Sequence, residues 1–287
     1  MENIHTLVVG EVLWDVFPDA TRLGGAPLNF AVHLKRLGHT PRIVSAVGRD
    51  ALGKTAEADI RALGLETTFL QTSDQLPTGT ASVRLGPGDH TSFVIERPAA
   101  YDAVTISAEM LARIQEWSPS WCYYGTLFPS IPPAREVLRR LLDALPDACR
   151  LYDVNLRAGF ESRDLVCELV QLADVVKVNE REQTVLSDWL GLPADFEGFC
   201  RAGAARFGWQ ATCVTLGARG CAMLVGEDYV EAPGVRVNDV VDTVGAGDAF
   251  AAAFLHGLVM GWSAATVAQF SNLAGAAVAS VPGAIPR

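Results

Sequence analysis

The sequence predicts an α/β fold: a doubly wound, mostly parallel sheet flanked by helices, with a small projecting β-sheet lid. Short apolar, β-rich runs alternate with segments of helical apolar spacing for most of the length, the pattern of parallel strands joined by crossover helices. Two stretches break that alternation and read as hairpins, and inserted strands of this kind usually leave the main sheet. The composition, 49% apolar and 20% charged over 287 residues, is that of a globular chain with a large core. No linker or internal repeat divides 1–287, and α/β folds often reach this length as one domain.

Taken in order, residues 5–9 are apolar and β-rich, and 26–37 carry apolar residues at helical spacing. Residues 42–47 form the next strand and 55–63 the next helix. The same unit recurs as 121–124 with 134–145, 150–154 with 163–172, and 175–178 with 181–190, followed by a strand at 212–216. The lid strands fall within about 11–24 and 79–97, the second hairpin turning at Gly86-Pro87-Gly88-Asp89. Its open edges predict pairing with a second copy, a homodimer through the lid. No formally charged residue occurs from Ala249 to Pro286. Because Gly261-Trp262-Ser263 reads as a helix stop followed by a new cap, two buried helices are expected there rather than a membrane span.

A formal charge of −10, from 33 acidic and 23 basic side chains, argues against a nucleic-acid partner, whose phosphates demand a dense basic stripe. Only Lys35, Lys54 and Lys177 are lysines, so a lysine-based phosphate site has few candidates. The six cysteines show no C-x-x-C pair and read as reduced thiols. An acidic N-terminus without a long apolar run adds the expectation of a cytoplasmic protein.

Gly48-Arg49-Asp50-Ala51-Leu52-Gly53-Lys54-Thr55 satisfies G-x-x-x-x-G-K-[ST], the pattern of the phosphate-cradling P-loop. Its interior holds Arg, Asp and Leu where glycines would bring amides onto a phosphate, and no apolar strand ending in a metal-binding Asp follows. It is read as a strand-to-helix turn. A better anion site is Asp242-Thr243-Val244-Gly245-Ala246-Gly247-Asp248. Small residues at 245–247 let backbone N–H groups converge at a helix start, whose dipole favours negative charge. Asp248 stands beside this cradle, where a carboxylate can take a proton from an attacking hydroxyl. A helix cap with a glycine-rich turn would look the same locally.

That segment resembles the C-terminal signature of the ribokinase-like (PfkB) carbohydrate kinases, and Gly24-Gly25-Ala26-Pro27-Leu28-Asn29 resembles their N-terminal one. Between them, Asn179-Glu180-Arg181-Glu182 is similar to the family's N-x-x-E, and Val214-Thr215-Leu216-Gly217 with Gly220 also matches. The resemblance implies an ATP-dependent sugar kinase with Asp248 as catalytic base and Gly245, Ala246 and Gly247 as anion hole. It further implies Asn179, Thr215, Gly217, Gly220 and Asn272 on the nucleotide side, and Glu182 with Asn179 near water-bridged Mg²⁺. A K⁺ site is implied at Asp242 and the carbonyls of Val244, Val278, Val281 and Gly283. Asp15, Gly25, Asn29, Arg97 and Arg157 are the implied sugar contacts. Asp153-Val154-Asn155-Leu156-Arg157 resembles the D-x-N-x-R of fructokinase-like members, so fructose leads. Ribose, 2-keto-3-deoxygluconate and then nucleosides remain as alternatives, and a non-catalytic sugar-sensing protein is the reading of a different class.

Overall fold

The computed structural model describes residues 3–18, 20–85, 91–237 and 239–286. Nine strands form the main sheet: β1 (His5–Val9), β4 (Thr40–Gly48), β5 (Leu70–Ser73), β8 (Trp121–Tyr124), β9 (Cys149–Asp153), β10 (Val175–Asn179), β11 (Ala211–Thr215), β12 (Gly220–Val225) and β13 (Asp228–Pro233). Their order is β13-β12-β11-β10-β9-β8-β1-β4-β5. All pairs are parallel except β11–β12 and β12–β13, a hairpin that ends the sheet. Four strands, β2 (Leu13–Val16), β3 (Thr21–Gly24), β6 (Gly79–Leu85) and β7 (Thr91–Glu96), form a second sheet in the order β3-β2-β6-β7. Each half is an antiparallel pair, and β2 joins β6 in parallel. The turn expected at 86–89 lies outside the described residues.

Alternation along the strands divides the core between the two faces. On one face, Leu7 and Val9 pack with α3 (Ala108–Trp117), α4 (Pro132–Asp143), α5 (Arg163–Gln171), α6 (Glu180–Leu190) and α7 (Phe196–Phe207) through Ile114, Leu138, Leu165, Leu186 and Phe199. On the other, Val8 packs with α1 (Ala26–Arg36), α2 (Ala51–Ala62), α8 (Ala246–Val259) and α9 (Ala264–Ala279) through Phe30, Ile60, Phe254 and Val267. The charge-free C-terminal stretch is thus two helices, with Ser263 capping α9 through Thr266 N, and no helix among the described residues is long and apolar enough to cross a membrane. All six cysteines are free thiols.

Several elements were not expected. Strand β5 (Leu-Gln-Thr-Ser) is a polar edge strand without apolar alternation, and α3, α7 and the β12–β13 hairpin fell between the segments read as periodic. From β1 the chain moves outward to β4 and β5 on one side and to β8 through β11 on the other. That reversal makes β1 the switch point, and in open α/β sheets ligands bind beyond the carboxyl ends of strands at such a point.

Candidate active site

A cavity of about 390 Å³ opens there, lined by residues at or just past the ends of β1 (Glu11), β8 (Leu127), β9 (Asn155, Arg157), β10 (Asn179) and β11 (Thr215). Leu13, Asp15, Ala81 and Ile95 of the second sheet form one wall, so that sheet lies over the cavity as a lid does. The first turn of α8 closes the floor with Gly245, Gly247 and Asp248. Eleven of the residues singled out from sequence meet here: Asp15, Gly25, Asn29, Arg157, Asn179, Glu182, Thr215, Val244, Gly245, Gly247 and Asp248.

Two glycines are required by geometry. Gly25 has φ 107°, and a Cβ on it would lie 2.5 Å from the carbonyl oxygen of Glu11; Gly245 has φ 78°, and its Cβ would meet that of Ala284 at 2.3 Å. Between them, α1 brings Asn29 to Asp248 across 219 residues of sequence, Asn29 Nδ2 donating to Asp248 Oδ2 at 2.8 Å. Asn29 Oδ1 is buried and has no partner. A buried acceptor left unpaired is costly, and a ligand hydroxyl can satisfy it.

The carboxyls of the cavity are held in unusual states. Burial pushes Asp248 up to about 7, and the charge of Asp153 adds to this, while the Asn29 hydrogen bond, Lys177 and Arg157 oppose it. Glu11 rises to about 7 and Asp15 to about 6, both chiefly through burial, with Arg157 opposing. A carboxyl near 7 is matched to proton transfer at neutral pH.

Lys177 was missed by sequence reasoning, which expected a cradle without lysine. It is buried on β10, its Nζ lies 2.9 and 3.1 Å from the two oxygens of Asp153, and it lines the cavity beside Gly247. Burial alone would lower its pKa, but Asp153 and Glu182 outweigh this and hold it above the ordinary value. The available signal was a cation inside an otherwise apolar strand, Val175-Val176-Lys177-Val178, in register with Asp153 on the neighbouring strand.

Other positions differ from expectation. Asn179 and Glu182 form a reciprocal capping box: Asn179 Oδ1 accepts from Glu182 N at 2.9 Å, and Glu182 Oε2 from Asn179 N at 2.8 Å, while Oε1 accepts from Leu156 N at 2.9 Å. Glu182 is therefore a buried, preorganised acid, its pKa raised by burial against the pull of Lys177. Among the described residues no three acidic, His or Cys side chains gather as metal ligands. The lone pairs left on Glu182 suit a hydrated Mg²⁺, which keeps most of its waters.

Arg97 does not line the cavity: its guanidinium, 8% exposed, pairs with Asp102 and donates to Leu127 O at 3.0 Å and Ser130 Oγ at 2.5 Å. Ala246 lies outside the lining, and its N–H donates to Thr243 O at 3.3 Å. Gly217 and Gly220 flank the short turn between β11 and β12, and Asn272 Nδ2 donates to Pro233 O at 3.2 Å, tying α9 to β13. None of these three lines the cavity. A second hollow of about 440 Å³ does lie next to Asn272, between residues 235–237 and 239 on one side and α9 on the other, with Val235, Leu273, Ala276 and Ala277 on its walls.

Asp242, Val278, Val281 and Gly283 lie outside the cavity lining, with Gly283 N donating to Asp242 Oδ2. A free K⁺ does not fit this group as it stands, because the Asp242 carboxylate already carries the guanidinium of Arg22, 3.2 Å away, and the N–H of Gly283 at 3.0 Å. The G-x-x-x-x-G-K-[ST] segment cradles nothing. Helix α2 begins at Ala51, Asp50 caps it through Gly53 N at 2.7 Å, and Lys54 is exposed.

Residues 10–287 match the pfkB family of carbohydrate kinases. A fructokinase of Escherichia coli is 30% identical over 264 residues, covering 88% of this chain and 83% of that protein. An aminoimidazole riboside kinase of Salmonella typhimurium is 28% identical, covering 97% and 90%. The crystal structure of an uncharacterized sugar kinase from Pyrococcus horikoshii in complex with ATP superposes with a TM-score of 0.83 at 26% identity, covering 98% and 94%.

Proposed function

Because this chain belongs to the pfkB family of carbohydrate kinases, we propose that it transfers the γ-phosphoryl group of ATP to a hydroxyl of a small neutral sugar, fructose first. The observation that carries the reading is the hydrogen-bonded Asn29–Asp248 pair, with a buried, unpartnered acceptor on Asn29 and an Asp248 carboxyl near 7. Glu11, Asp15 and Asp248 already resist carrying negative charge in this cavity. A neutral polyol therefore suits it better than an acid sugar such as 2-keto-3-deoxygluconate.

In the proposed reaction Asn29 Oδ1 and Asp15 hold sugar hydroxyls, and Gly25 lets the sugar lie against backbone. Asp248 accepts the proton of the attacking hydroxyl as its oxygen bonds to the γ-phosphorus and the bond to ADP breaks. Charge on the transferring group meets the Gly245–Gly247 turn, the positive end of the α8 dipole and the third proton of Lys177, whose other two face Asp153. Glu182 and Asn179 would hold hydrated Mg²⁺, which neutralises the nucleotide phosphates. Thr215 and the hollow beside α9 would seat the rest of the nucleotide, with Leu273 against the base. Water is excluded as the lid closes on the sugar.

The match over 10–287 supports one kinase domain, ATP use and free thiols fit a cytoplasmic setting, and pairing of lid edges would give a dimer, which light scattering would detect. The function is tested by ADP release across fructose, ribose, mannose, 2-keto-3-deoxygluconate, inosine and adenosine. The expected result is the highest kcat/KM for fructose. A nucleoside in first place would move the acceptor assignment, and no turnover with any sugar would remove it.

A further inference from the structure

We propose that Arg22 is a built-in cation, delivered by lid strand β3 to Asp242, and that it braces the phosphoryl-binding turn where the family resemblance calls for a soluble monovalent ion. The proposal rests on the kinase reading above. Both oxygens of Asp242 are committed: Oδ1 accepts from Val244 N at 3.0 Å, and Oδ2 accepts from Gly283 N at 3.0 Å and from Arg22 Nη1 at 3.2 Å. The arginine stem also covers Gly283, since a Cβ built on that glycine would lie 3.4 Å from Arg22 Cδ and 3.6 Å from Nη1. The ring of Phe17 stacks on the guanidinium, 4.8 Å from centroid to Cζ, adding a cation–π contact that holds the planar group in place.

The braced loop bears directly on the turn. Ala284 is the residue that a Cβ on Gly245 would strike, and the same loop is tied to α1 by His33 Nε2 at 2.9 Å from Ala284 O and by Arg36 Nη2 at 2.6 Å from Pro286 O. Val244, whose N–H caps Asp242, immediately precedes Gly245. A charge fixed at Asp242 therefore sets the position of the amides at 245–247 and cancels a carboxylate that would otherwise oppose the triphosphate. Unlike a soluble ion, an arginine is always charged and needs no concentration to be present. Its strand also carries the sugar side, because Arg22 and Asp15 are cross-strand partners on β3 and β2.

The test compares full-length protein in potassium chloride and in tetramethylammonium chloride at equal ionic strength. Wild-type kcat/KM for MgATP is expected to differ by less than about twofold between the salts, and Arg22→Gln to fall about tenfold in tetramethylammonium with most of the loss restored by K⁺. The Arg22 side chain is 40% exposed, so the variant keeps its fold. In parallel, K⁺ should raise the melting temperature of Arg22→Gln and leave wild type unmoved, since an ion that binds only the folded state stabilises it. Wild type activated severalfold by K⁺, or an Arg22→Gln loss that K⁺ does not relieve, would overturn the proposal. The melting arm reads ion binding without turnover, so it stands apart from any failure of the kinase assignment, which would show as no sugar phosphorylated by wild type.

Discussion

The acid limb of the pH–rate profile offers the sharpest test of Asp248 as base, and Asp153→Asn is the perturbation that identifies it. With Asp248 near 7, the rate should be lost as pH falls through that value. A base with pKa 7 is ionised to about 9% at pH 6 and about 91% at pH 8, so kcat/KM should drop about tenfold between them. Two of the forces on Asp248 come from the Asp153–Lys177 pair: Asp153 raises its pKa and Lys177 lowers it. Replacing Asp153 by the isosteric Asn removes the first, and with Glu182 still holding Lys177 charged the net change acts downward. A shift of about one unit is expected for one neighbouring charge. At pH 6 the variant should then retain about half of its own plateau, roughly fivefold more than wild type retains of its own. Glu11 titrates in the same range but owes none of its principal shifts to Asp153, so a limb belonging to Glu11 would stay in place. The assay is kcat/KM for sugar from pH 5 to 9 with Mg²⁺ in excess, each protein normalised to its alkaline plateau. An unmoved or alkaline-shifted limb in Asp153→Asn would refute the reasoning.

Four further variants test the same geometry. Asp248→Asn should cost about 10³-fold or more in kcat, the scale of losing a general base together with its orientation. It should also raise the melting temperature of the ligand-free protein at pH 8: the folded pKa lies above the unfolded one, so wild-type stability falls as pH rises from about 4 to about 7, and differential calorimetry should show a clearly larger gain at pH 8 than at pH 5. Lys54→Ala should leave kcat and both KM values near wild type, and a large rise in KM for ATP would restore the P-loop reading. Arg97→Ala strands the buried Asp102 and should cost about 3–5 kcal/mol by urea denaturation, as for other broken buried pairs, with little change in sugar KM where the protein remains folded. Leu273→Glu puts a charge into the hollow beside α9, from a side chain 54% exposed, and should raise KM for ATP without moving sugar KM; equal effects on both would separate that hollow from the nucleotide.

Periodicity carries the architecture because it needs only local information. Strand segments such as 7–9 are apolar on both faces, and the helices between the strands show their stripe in the sequence itself. Where a segment's role is set by neighbours, that signal fails. Strand β5 is polar yet pairs with β4 through backbone hydrogen bonds that any sequence can make, and α3 and α7 were passed over although each starts at a side-chain cap, Ser107 or Asp195. The P-loop pattern failed in the opposite sense. Its residues were right, but Asp50 starts the helix so early that Gly53, Lys54 and Thr55 are wound into it.

The sequence by itself determined the alternating order of strands and helices, the two glycine turns and the residue types that surround them, because each is written in short-range spacing and composition. Which of those residues meet was decided by the tertiary structure. Asn29 reaches Asp248 across 219 positions and Arg22 reaches Asp242 across 220, distances no local pattern encodes. Burial, too, is a property of the packed molecule: it brings Asp248 to about 7, keeps Lys177 charged beside Asp153 and makes Glu182 a buried cap. The chemistry of the site rests on the low dielectric and fixed distances that only the folded chain supplies.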